Sequence, residues 1–204
     1  MKRVLATVLA VSAACVFAGV AAADGDPASD YLLAQKVFVP FDLKVPKAKQ
    51  DELTAVVDAA NRGGFPIRVA VIGSAYDMGA ITSLWRKPRS YARFLGEELA
   101  FVYKNRLLIV MPNGFGFYRP GRPTTKEYAG LATVPIGSGA VGLVDSAGAA
   151  VRKLAAQEGV AVGNPSPASS SNRNTRDRVL IIVIAAAALL GTVLLRLVLR
   201  RRRQ

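Results

Sequence analysis

Three hydrophobic patterns follow one another along the 204 residues. Residues 4–18 are apolar and uncharged. Residues 179–199 form a second apolar run, broken only by Arg196 and closed by Arg200, Arg201, Arg202 and Arg203. Between them, apolar positions alternate between helical and strand spacing. Pro46 opens a helical pattern with Leu53, Val56, Val57 and Ala60 on one face, ended by Gly63 and Gly64. Residues 65–72 (FPIRVAVI) read as a buried strand. Residues 77–84 predict a short helix. Pro88 opens another, whose shared face is Tyr91, Phe94, Leu95, Leu99 and Val102, ending at Asn105. Residues 106–111 (RLLIVM) predict a second strand. Pro112, Asn113 and Gly114 signal a hairpin into a third at 115–118. A Gly-rich stretch at 130–142 precedes a last helix at 144–157. This order predicts a layered α/β domain with a small mixed sheet flanked by helices.

The two terminal runs set the expected topology. Lys2 and Arg3, the apolar stretch and the small residues Ala21, Ala22 and Ala23 have the order of a secretory signal peptide cut after Ala23. About 21 residues at ~1.5 Å each span roughly 30 Å, so 179–199 predicts a transmembrane helix. Basic residues concentrate after that helix, which orients the 200–204 tail to the cytoplasm and the 24–163 domain outside. Residues 164–178, rich in Pro, Ser, Asn and Arg, predict a juxtamembrane linker. The expected location is the cell membrane, crossed once.

Charge adds less than the net +13 suggests. Two of the 27 Lys and Arg residues lie in the leader and eight lie from Arg173 onward. The outer domain is left with 17 basic against 13 acidic residues. That balance does not predict nucleic-acid binding. The only Cys is Cys15, in the leader, and there is no His. Ser-His-Asp and Cys-His triads, His general acid–base catalysis and the ordinary zinc sites are excluded. No catalytic residue, metal ligand or cofactor is predicted.

The densest basic feature of the outer domain is Trp85, Arg86, Lys87 and Arg89, with Arg93 one turn later. Cations at a helix start suit a phosphate or carboxylate, and Trp85 suits a partner surface. With Asn113 and Phe115 of the hairpin, these residues form the candidate binding surface. Other motifs read as structural. Ser74 lacks the flanking Gly and the His of a nucleophile elbow. Asp77 reads as a helix cap. Asp24, Asp26 and Asp30 lack a calcium-loop pattern and read as a frayed N-terminus. The G-x-G-x-x-G at 137–142 lacks a preceding strand and reads as a hydrophobic surface loop.

Asn61-Arg62-Gly63-Gly64 at a helix end, the strand at 66–72, the run at 105–110 and Gly114-Phe115-Gly116 after it resemble the TPM domain family. That resemblance, over about residues 30–160, implies an α/β domain between a signal peptide and one membrane helix, as in bacterial members. Family members carry acidic residues near the start of the second strand, associated with divalent cations. This chain has Lys104, Asn105 and Arg106 there. The expectation is a non-enzymatic, membrane-tethered binding or accessory module of the cell envelope. Its expected partners are lipid through the C-terminal helix, and an anionic ligand or an envelope protein. The alternative is a divalent-metal-dependent phosphate-ester hydrolase of TPM type.

Overall fold

The computed structural model describes residues 25–163, and the expected leader, linker, membrane span and tail lie outside them. The architecture is a four-stranded sheet between two helical layers. Helix α1 (Pro27–Ala34) leads to β1 (Val37–Phe38), and α2 (Lys47–Arg62) leads to β2 (Ile67–Val71). Helix α3 (Pro88–Glu98) leads to β3 (Arg106–Met111), which turns directly into β4 (Gly114–Tyr118). Helices α4 (Thr125–Leu131) and α5 (Gly139–Gln157) complete the domain. The strand order is β1-β2-β3-β4, parallel for the first three, with β4 antiparallel at the edge. The expected α/β layered domain with a small mixed sheet is therefore present.

Strand alternation divides the core in two. Val69, Val71, Leu108 and Val110 point to the layer built by α2 and α5. Ala70, Ile72, Leu107, Ile109 and Met111 point to the layer built by α1 and α3. Strand β3 is buried at every position because both its faces are covered. The apolar stripe on α2 is the predicted one, Leu53, Val56, Val57 and Ala60. It ends at Gly63, and Gly64 takes a positive φ of 90°.

The crossovers β1–α2–β2 and β2–α3–β3 step the same way across the sheet, yet α2 and α3 lie on opposite faces. Two such connections cannot share a hand, so one departs from the right-handed rule. The short β1, with two residues, is the weakest constraint on the geometry. Helix α3 in turn lies directly on β4. A Cβ at Gly116 would meet the Pro88 carbonyl oxygen at 1.8 Å, and one at Gly96 would meet the Tyr118 ring at 2.0 Å.

Three expectations need correction. From Gly25 on, the segment read as a frayed N-terminus is ordered. Asp26 is 5 % exposed and caps α1, accepting the Ala28 N–H at 3.0 Å, while the Tyr91 hydroxyl donates to its carboxylate at 2.7 Å. The stretch at 77–84 is a kinked 3-10 segment (Ala75–Leu84), with Gly79 at positive φ against the Gly25 carbonyl. The segment at 137–142, read as a surface loop, runs into the first turn of α5, and Gly137 just before that helix touches Gly142 backbone to backbone. Asp77 acts at the helix start from inside the segment: the N-cap is Ser74, and Asp77 Oδ2 reaches back to accept the Gly73 and Ser74 N–H groups at 2.7 Å each.

Candidate functional site: an arginine-lined cleft beside the edge strand

Strand β4 has no strand beyond it, so its outer backbone groups need other partners. Tyr128 of α4 supplies them at Phe117. Its hydroxyl accepts from the Phe117 N–H at 2.8 Å and donates to the Phe117 carbonyl at 3.1 Å. Burial pushes the Tyr128 phenol above its ordinary pKa, the Phe117 backbone partly offsetting that and nearby Arg89 adding to the offset. The phenol thus stays neutral and keeps the proton it donates. Tyr128 replaces a fifth strand, and the chain between β4 and α4 bulges outward.

That bulge makes one wall of an open cleft of about 560 Å³. Arg119 and Arg122 come from the bulge, Arg89 and Arg93 from the outer side of α3, with Tyr118 and Tyr128 between them. The Arg89 guanidinium lies over the Tyr128 ring, 4.2 Å from its centroid. Arg93 pairs with Glu97 at 3.0 Å, and that pairing raises its pKa. Arg119 pairs with Glu158 at 2.8 Å and reaches Glu127 at 3.5 Å. Arg89 and Arg122 have no carboxylate partner among the described residues. Their planar N–H forks suit a carboxylate or phosphate.

A second hollow of about 340 Å³ adjoins the α3 N-terminus, lined by Lys87, Pro88, Arg89, Ser90, Asn113, Gly114 and Phe115. Arg89 lines both. The juxtaposition expected from sequence is present here: the Asn113 side chain donates to the Arg86 carbonyl at 2.7 Å, joining the hairpin to the segment before α3. Arg86 itself takes a left-handed φ of 59°. Lys87 donates to the Ser83 carbonyl at 3.1 Å. Trp85 is half-buried against the α1–α3 core layer. The ring of Phe115, 9 % exposed, belongs to the opposite layer with α2 and α5.

No family model, curated protein or solved structure matches the chain.

The position where the resemblance called for acidic residues is a structural corner. Arg106 is 6 % exposed, lies over the Phe65 ring at 4.3 Å and ion-pairs with Glu158. Tyr103 donates to the Arg106 carbonyl at 3.0 Å, and Arg68 lies over the Tyr103 ring at 4.1 Å. Desolvation lowers the Arg68 pKa and raises that of Tyr103. Among the described residues, no three His, Cys, Asp or Glu side chains gather as a metal site.

Sequence reasoning found Arg89 and Arg93 but not Arg119 and Arg122. The available signal was the run Arg119-Pro120-Gly121-Arg122-Pro123, a turn-forming sequence that displays two cations three residues apart.

Proposed function

We propose that this protein is a non-enzymatic binding module, tethered to the cell membrane by residues 179–199 and holding an anionic group outside. The observation that carries the reading is the cleft. Four arginines from two distant segments converge there, and among the described residues Arg89 and Arg122 lack carboxylate partners. Folding gains little from lining one cleft with two guanidinium groups that have no counter-charge of their own. A ligand bearing phosphate or carboxylate relieves that repulsion and gains charge-assisted hydrogen bonds. Lys87 and Asn113 extend the same surface over the adjoining hollow. The TPM resemblance supports the topology of the reading, an outer domain on one membrane helix, and leaves the ligand to the cleft.

Calorimetric titration of the full chain in detergent with inorganic pyrophosphate, and separately with citrate, tests this. Saturable, salt-sensitive binding to the parent chain is expected, reduced about tenfold by Arg89→Ala or Arg122→Ala, the loss of one charge-assisted contact. Equal affinity in parent and variants would overturn the assignment to the cleft.

A further inference from the structure

The strands define two ends of the domain. The base is the end where β2 and β3 begin, with Ile67 beside Arg106, and where β4 finishes. Arg62, at the end of α2, lies there, as does the loop that enters β3. That loop carries Phe101 and Val102, which are 77 % and 52 % exposed, followed by exposed Lys104. The core behind it is closed by the Tyr103 and Arg106 contacts, and among the described residues nothing covers Phe101. The chain also leaves the domain at this end. Glu158 pairs with Arg106 and Arg119, and Val160 lies where a Cβ on Gly63 would be 2.8 Å from it.

We propose that this base rests on an anionic lipid surface, with Phe101 and Val102 entering the interface and Arg62 and Lys104 meeting the headgroups. The inference rests on the membrane-tether reading above and uses residues outside the arginine cleft. Two features of this chain and one general property of long cationic side chains favour lipid as the occupant. Only 15 residues, 164–178, separate the described domain from the expected span, a length of chain that limits how far the base can stand from the bilayer. An aromatic and a β-branched side chain exposed at the same end as two cations match an apolar–anionic boundary. Long Lys and Arg side chains lie with their stems in the apolar zone and their charges among headgroups. The opposite end carries Phe41 and Tyr76, 95 % and 91 % exposed, on the loops after β1 and β2. It therefore provides a control at the other pole that is more exposed than the base residues.

The test uses the full chain reconstituted in phosphatidylcholine vesicles with and without phosphatidylglycerol. Cys15, the only native cysteine, is replaced by Ala, and an environment-sensitive dye is attached through Val102→Cys or Tyr76→Cys. Quenchers are carried on the lipid chains. Quenching at position 102 is expected to exceed that at 76 by roughly threefold or more in anionic vesicles. It should fall to the level at 76 in high salt or with Arg62→Glu and Lys104→Glu combined. Equal quenching at both positions, stronger quenching at 76, or quenching at 102 that ignores lipid charge would each overturn the proposal. Alkaline carbonate extraction reads the tether separately. If the chain is extracted, the tether reading fails, and the same dyes on chain added to preformed vesicles still decide the base. Pyrophosphate affinity reports the cleft, and Arg62→Glu with Lys104→Glu is expected to leave it unchanged.

Discussion

Arg106 and Arg89 carry the same side chain into opposite situations. Arg106 opens a central strand, lies over Phe65 and has the Glu158 carboxylate beside it. Arg89 projects from the first turn of α3 into an open cleft, its only described partner the Tyr128 ring. Both guanidinium groups stack on an aromatic face. The difference is counter-charge and water. A buried cation must bring its carboxylate with it, so Arg106 is spent on the fold. An exposed cation costs the fold little to leave unpaired, so Arg89 remains available to a ligand. Charge density in the sequence separates neither case from the other.

Breaking the corner gives the largest expected effect. Glu158→Ala strands Arg106 and removes a partner from Arg119. It should destabilise the chain by about 2–3 kcal/mol, below the full cost of breaking a buried pair because Glu158 is itself partly solvated. Urea unfolding of parent and variant measures this, and a loss below half a kilocalorie would erase the distinction between corner and cleft.

The buried pair at the N-terminus ranks next. Tyr91→Phe removes the hydroxyl from Asp26 and should cost about 1–2 kcal/mol. It also has a pH signature. Burial raises the Asp26 pKa above its ordinary 3.8, only partly offset by the hydrogen bonds from Tyr91 and the start of α1. A carboxyl whose folded pKa is raised favours folding in its protonated form. Its contribution is complete below 3.8 and is lost as pH rises through the folded value. Asp26→Asn should lack that decline, whereas Tyr91→Phe should extend it to higher pH. Thermal midpoints recorded from acidic to neutral pH check both signs.

Within the cleft the order of effects reverses between stability and binding. Arg89→Ala should cost under about 1 kcal/mol, the value of an exposed cation–π contact, while weakening pyrophosphate binding about tenfold. A comparable destabilisation to Glu158→Ala would make Arg89 structural too. Smallest of all is the stability change for Arg93→Ala, which deletes an exposed i,i+4 pair with Glu97. Solvent screens that pair, so the variant's urea midpoint should coincide with the parent's.

The parts of the fold that sequence reading located are those with a local cause. The stripe on α2, the strands around Ile67 and Arg106, the Pro88 helix start and the Asn113-Gly114 turn each carry their signal within a few residues. The missed elements lack one. Helix α1 has eight residues, and its order comes from Tyr91 reaching Asp26 across 65 positions. Strand β1 has two residues and exists through its pairing with Val69 and Ala70. Helix α4 was hidden in a loop-like stretch, and Tyr128 within it is fixed by the free edge of β4. Val102 shares the helical period of Tyr91 and Leu99, yet the chain leaves the helix at Glu98 and turns it outward.

The sequence by itself determined the layered α/β domain, the position of its strong helices and strands, and the exclusion of His and Cys chemistry, because periodicity and composition act locally. It also set the expectation of a leader and a membrane span at the two ends. Only the tertiary structure decided which arginines are spent and which are free. Whether a guanidinium has a carboxylate and water around it depends on chain segments far apart: Glu158 lies 52 residues from Arg106, and the Arg119–Arg122 turn faces Arg89 only because α3 lies against β4 at Gly116.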